Sequence, residues 1–282
     1  MLRLIFKKIP TLFAKSISDF VNNDGIEHAG YMAFITILAI FPFMVLLISL
    51  AGMVGELEVS KEFIRSFVDN APDHVQNFLL PRINEIISGP PESIMTIAIL
   101  GAIWTASSSF EGLRTFFNRS YRVNTPPAYL LRRMLSILQF LAFTACVLLI
   151  MALLIIIPPF LFKFAEYFKI QPIIIPTIYF FRNFGLFIII FIAISALYYF
   201  IPNKKQTLMQ VIPGSLIVTI SWSLSSKLLS LYIQNFTQVN LIYGGLEGII
   251  ITLLFFYINN ITLIFGAEFN YHFINFMNKT NE

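Results

Sequence analysis

Residues 134–162 read MLSILQFLAFTACVLLIMALLIIIPPFLF, 29 consecutive positions without a charged side chain. A helix needs roughly 20 mostly apolar residues to cross the hydrocarbon core of a bilayer, so this run is longer than one straight span requires. Five further runs share its character: 29–54, 93–110, 183–203, 206–226 and 248–267, each bounded by charged residues or the loops that carry them. The run at 93–110 is the shortest, with 18 residues between Glu92 and Glu111. In lipid a backbone must satisfy its own hydrogen bonds, which makes these runs helices and not open strands. Pro42 and Pro213 fall inside runs and imply local kinks.

The composition agrees. Of the 282 residues 57% are hydrophobic and 12% charged, about half the charged fraction usual for soluble domains. The single cysteine, Cys146, has no partner for an intramolecular disulfide and reads as a small buried hydrophobe. The expected architecture is therefore all-α: a polytopic transmembrane bundle of six spans, forming one membrane domain over residues 1–282.

Basic residues orient the bundle, because cytoplasmic loops collect Lys and Arg. Alternate segments carry 12 basic residues on one face and 7 on the other. The richer face holds the amino-terminal arm, the segment with Arg114, Arg119, Arg122, Arg132 and Arg133, the Lys204-Lys205 link and the carboxy terminus. Both termini are thus expected in the cytoplasm, with residues 268–282 as a cytoplasmic tail. Tyr31, Tyr179, Tyr198, Tyr199, Tyr243 and Tyr271 sit where interfacial belts form.

Two regions lie outside the spans. Residues 1–28 form an arm in which Leu2, Ile5, Phe6, Ile9, Phe13, Ile17 and Phe20 recur at helical spacing. Such a helix either lies in the headgroup plane or packs under the bundle, with a bend at Pro10. Residues 55–92 are expected to form two short amphipathic helices capping the periplasmic face.

Several segments carry a family resemblance. Tyr31-Met32-Ala33-Phe34 with Phe41-Pro42 opens the series. Gly101-Ala102-Ile103-Trp104, Ser107-Ser108-Ser109-Phe110, Phe117-Asn118 and Tyr121-Arg122-Val123 continue it. Pro213-Gly214, Trp222, Tyr243-Gly244 and Gly266-Ala267-Glu268-Phe269-Asn270 close it. Together they resemble the YihY/BrkB family of bacterial inner-membrane proteins, over roughly residues 10 to 275. The resemblance implies a six-span bundle in the bacterial cytoplasmic membrane. It also implies a choice among a transport role, a virulence-associated role and an older label of ribonuclease BN, a tRNA-processing enzyme. Glu247 departs from the family pattern, where a small or apolar residue is usual, and its role is left open.

Catalysis on RNA would need clustered ligands for metal ions that activate water. The three histidines, His28, His74 and His272, form no metal-binding spacing, and no nucleotide-binding glycine motif is present. The arginine-rich segment is explained by topology without nucleic acid. The chain is expected to be no enzyme and to hold no cofactor or metal.

Transport would need polar groups within the spans. Residues 105–109 and 221–226 are hydroxyl-rich, and Asn259 and Asn260 lie inside the last run. Trp104 with Ser107 and Ser108 is echoed by Trp222 with Ser223, Ser225 and Ser226, and Ala33 and Pro42 by Ala193 and Pro202, as in an inverted repeat or by the chance similarity of apolar runs, the stronger of the two readings. Trp104, Ser107, Ser108, Trp222, Asn259 and Asn260 are accordingly the candidate pathway or helix-contact residues. Arg114 and Glu268, at matching depth, are the candidate ion pair. The expected partners are the bilayer and an unidentified small molecule or lipid, with a homo-oligomer left open. A non-transporting envelope scaffold is the rival reading; it should have a sealed core where a transporter has a polar path.

Overall fold

The computed structural model describes residues 2–53, 92–124, 127–167, 175–235 and 247–281. Those residues form seven helices: α1 (Leu2–Asn22), α2 (Gly25–Met53), α3 (Glu92–Ser120), α4 (Tyr129–Tyr167), α5 (Ile175–Phe200), α6 (Leu208–Asn235) and α7 (Glu247–Asn281). No strand occurs among them. The periplasmic cap expected at 55–92 lies outside the described residues but for its last position, as does the Glu247 side chain.

Among the described residues, three helices carry a stretch long and apolar enough to cross a membrane: Tyr129–Leu149 in α4, Leu208–Tyr232 in α6 and Gly248–Lys279 in α7. Shorter apolar stretches occupy Gly25–Ile40 and Phe184–Phe200. The pattern of burial is that of a protein dissolved in lipid. Along α6, Leu208, Ile212, Leu216, Ile220, Leu224 and Leu228 recur every fourth residue and are all exposed. The opposite face, with Val211, Ser215, Val218 and Thr219, is fully buried. A soluble helix puts its large apolar residues inward. Here small and hydroxyl side chains take the packed face, as they do where helices associate within a bilayer.

The chain divides into two compact units. One comprises residues 1–37, 111–132 and 178–282; the other comprises 38–110 and 133–177. In the first unit, α6 and α7 cross at Gly214 and Gly266. A Cβ on Gly214 would strike the Gly266 carbonyl and the Asn270 amide, and one on Gly266 would strike Tyr198 and Val218. Only glycine lets two backbones approach so closely. Pro213 removes one N–H from the α6 ladder, and the Gly214 N–H beside it donates to Asn270 Oδ1 at 2.7 Å. Tyr198, on α5, is completely buried and donates to the Leu263 carbonyl at 2.5 Å. It is therefore a core residue and not part of an interfacial belt.

Helix α1 runs through Pro10 without interruption and packs on the second half of α7. Phe13 sits 5.3 and 5.0 Å from the rings of Phe265 and Phe269, and Lys8 lies over Phe276. Of the two placements open to the arm, the structure thus has it packed against protein. Helix α7 continues through the carboxy-terminal segment to Asn281, and Glu268, Phe269 and Asn270 are buried.

In the second unit, Phe43, Phe110, Phe140 and Phe143 bring α2, α3 and α4 together at ring distances of 5.6 to 6.4 Å. Cys146 is exposed on α4, contrary to its reading as a buried hydrophobe. An outward-facing thiol is unremarkable on a helix whose large apolar residues also face outward.

Candidate functional site

Helix α3 stops at Ser120 in a left-handed turn. Arg122 has φ 57°, its N–H donates to the Arg119 carbonyl, and the Val123 N–H donates to the Asn118 carbonyl. This pair of bonds is the Schellman arrangement, in which glycine is the usual residue at the left-handed position. An L side chain there costs about 1–2 kcal/mol. Arginine is held in place by what its guanidinium meets.

Nη1 and Nη2 donate to Glu268 Oε1 and Oε2, both at 3.1 Å, and Nη2 also donates to Asp19 Oδ2 at 2.8 Å. Nη1 additionally reaches the carbonyls of Arg119 and Ser120, and the guanidinium lies 4.6 Å over the Tyr271 ring. Asn23 donates to Glu268 at 3.0 Å, and His272 Nε2 donates to Asp19 at 3.0 Å. Glu268 is 1% exposed, whereas Arg122 keeps 31% of its side-chain surface. Burial opposes the charge on Arg122, but the hydrogen bonds and field of Glu268, with Asp19, raise its pKa.

Around this knot Asn118 and Asn203 bond to each other twice, at 2.9 and 2.7 Å. Lys204 lies 5.3 Å from the Tyr271 ring, its pKa lowered by burial and by Arg122. Tyr121 accepts from Asn270, and burial raises its pKa well above the usual phenol range. The arm, the segment after α3, the link before α6 and the end of α7 therefore meet in one cluster of charges.

Asp19, Glu268 and His272 offer three potential metal-ligand atoms within 4.8 Å of one another. Arg122 already supplies a cation bonded to both carboxylates, so the arrangement fits a structural latch better than a divalent ion.

The ion pair expected between Arg114 and Glu268 is corrected here: Glu268 takes Arg122. Arg114 is buried, donates to the Ile201 carbonyl at 3.0 Å and lies 3.9 Å from Glu111. Its pKa is lowered by burial, with Glu111 acting in the opposite direction. Depth alone cannot choose between arginines two turns apart on one segment. The left-handed turn decides, because it aims Arg122 back toward α7.

The pathway candidates fall into two groups. Trp222, Asn259 and Asn260 belong to the first unit. Trp222 Nε1 donates to the Asn259 carbonyl at 3.0 Å and to Thr262 at 3.1 Å, and Ser225 donates to Asn259 Oδ1 at 2.9 Å. Asn260 donates to the Phe256 carbonyl of its own helix. All of these are contacts within or between α6 and α7.

Trp104, Ser107 and Ser108 belong to the second unit, where a residue that sequence reasoning assigned only to topology joins them. Arg133 stacks its guanidinium 4.0 Å over the Trp104 ring. It donates through Nη1 to Ser108 Oγ at 3.2 Å and through Nη2 to the Trp104 carbonyl, which also accepts from Ser107. Arg132 and Arg133 are neighbours on a helix and point about 100° apart, so they cannot share a partner. Arg132 lies 3.6 Å from Glu111, and Arg133 is left with neutral groups.

A family model described as "Virulence factor BrkB" matches residues 16–281. A putative ribonuclease-like protein, YfkH of Bacillus subtilis, is 26% identical over 258 residues, covering 90% of this chain and 91% of the relative. A UPF0761 membrane protein of Vibrio vulnificus is 25% identical over 257 residues, covering 88% and 78%. One from Vibrio cholerae is 35% identical over 82 residues, 29% of this chain and 28% of the relative. No solved structure matches the chain. With its apolar outward-facing helices and a family match over nearly its whole length, the chain is a membrane protein that belongs to the Virulence factor BrkB family.

Proposed function

We propose that this protein is a transporter or exporter of a small molecule or lipid in the bacterial inner membrane, crossing it six times with both termini in the cytoplasm. The observation that carries the transport reading is the polar stretch at 104–109. Thr105 and Trp104 are exposed, Ser109 Oγ is buried without a partner, and Arg133 lies against Trp104 and Ser108. An ionisable group at membrane depth is costly, and where one is kept it points to a functional site. The orientation is supported by the 12-to-7 basic asymmetry and by the meeting of four basic-rich-face segments in one charged cluster.

The name of the Bacillus relative describes that protein as ribonuclease-like. Among the described residues, the two histidines are engaged in contacts that leave nuclease chemistry unsupported. His272 is spent on Asp19, and His28 is bonded to the Asp24 carbonyl and set against Phe116.

A scaffold is the second reading, favoured by Trp222 and Asn259, whose polar atoms are consumed by helix contacts. Cysteine labelling separates the two. In a Cys146→Ser background, Thr105→Cys and Ser108→Cys should react with a small charged thiol reagent in native membranes. Reaction only after detergent extraction would favour the scaffold.

A further inference from the structure

Arg133 is 5% exposed, and among the described residues no carboxylate lies within 4.0 Å of it. A buried charge without a counter-ion is among the most costly arrangements a fold can keep. It is not relieved by reaching out to solvent, since the side chain is almost wholly covered. The groups it does meet are a serine hydroxyl, a main-chain carbonyl and an indole face, all uncharged. Nε is buried with no acceptor. Of the five N–H hydrogens of a guanidinium, two are taken, one on each Nη, and the Nε–H has no acceptor among the described residues.

A guanidinium with unspent N–H hydrogens can meet two oxygens of one oxyanion, the geometry in which arginine differs from a point charge. Arg133 stands one turn inside the apolar stretch Tyr129–Leu149, so an anion reaching it arrives at the edge of a lipid-facing helix. The surfaces beside it are apolar: Leu100 and Trp104 on α3, and Met134 and Leu138 on α4, are each exposed one turn apart. An acyl chain finds cover there, while a bare ion finds none.

We propose that Arg133, Ser108 and the face of Trp104 form a binding site for a phosphate group, carried by a phospholipid. The site takes from the transport reading only that it receives a ligand. Equilibrium binding is measured separately from movement, so binding without labelling of Thr105→Cys would leave the phosphate site standing and remove transport.

The chain has two tryptophans, so Trp222→Phe leaves Trp104 as the sole reporter. The full chain carrying that substitution, in an uncharged detergent, is titrated with dihexanoyl phosphatidic acid, with inorganic phosphate and with dihexanoyl glycerol. A saturable change in Trp104 emission is expected with the phosphatidic acid and not with the phosphate-free glyceride. An equal response to inorganic phosphate would keep the chemistry and move the source to the free ion. Arg133→Lys keeps the charge without the guanidinium and should weaken binding about 10-fold, and Arg133→Gln should abolish it. Two results would overturn the proposal: no saturable change with either phosphate compound, or the same change with the glyceride. Undiminished binding by a monodisperse Arg133→Gln protein would do so as well. The first comparison needs no Arg133 variant, so misfolding of the variants leaves the proposal open to refutation.

Discussion

Replacing Arg122 by Gln should damage the protein more than replacing its partner Glu268 by Gln, and the reason is the asymmetry of their burial. Without Arg122, Glu268 is left 1% exposed with, among the described residues, the Asn23 amide as its hydrogen-bond donor. Removing one member of a buried pair costs about 3–5 kcal/mol, because the other charge stays buried and uncompensated. Without Glu268, Arg122 keeps Asp19, two carbonyls and 31% of its surface, so the cost falls to about 1–3 kcal/mol.

Thermal denaturation of the detergent-purified chain reads both. At about 2–4 °C per kcal/mol for chains of 150–250 residues, Arg122→Gln should lower Tm by roughly 10 °C and Glu268→Gln by about half of that. The double variant should lose less than the two losses added, with a coupling of about 0.5–3 kcal/mol. Arg114→Gln combined with Glu268→Gln should instead be nearly additive, because Arg114 donates to the Ile201 carbonyl while Glu268 accepts from Arg122 and Asn23. Equal single losses, or strict additivity for Arg122 and Glu268, would refute the latch.

Three further outcomes follow from the same packing. Gly266→Ala should destabilise by about 1–3 kcal/mol, since its methyl group meets Tyr198 and Val218; Gly101→Ala, with nothing nearby, should be close to neutral. Both are read as Tm. Alkaline pH should weaken the fold through Tyr121. Its folded pKa is raised by burial, so its contribution is complete below the unfolded value of about 10 and declines as pH rises beyond it. The fall of Tm between pH 9 and 11 should be shallower in Tyr121→Phe. Trp222→Phe should cost about 1 kcal/mol of helix packing, the worth of its hydrogen bonds to Asn259 and Thr262, and Tm should drop by a few degrees.

Much of the architecture was legible in the residues. Uninterrupted apolar runs placed α2, α4, α6 and α7, because length and hydropathy are properties of a segment and need no neighbours. The run at 93–110 marked α3 but not its end, for the helix continues to Ser120 through residues that carry Arg114 and Arg119. What the runs could not show was how far a helix extends past its apolar core. Glu268 to Asn281 continue α7 because α1 covers one face of that extension, and α1 lies 245 residues away along the chain at the Asn23–Glu268 contact.

The polar residues divide along the same line. Trp104, Ser107 and Ser108 stood out as hydroxyls and an indole among apolar neighbours, but Arg133 did not, because basic residues at a helix start are ordinary topology signals. Likewise Glu268 was singled out while its partner was misassigned to Arg114. By itself the sequence determined solvent and secondary structure, since both depend on segment composition and on backbone hydrogen bonding within one helix. Only the tertiary structure decided which charge meets which, because a pairing depends on the direction of one left-handed turn and on which arginine, of two adjacent ones, a helix rotates into its core.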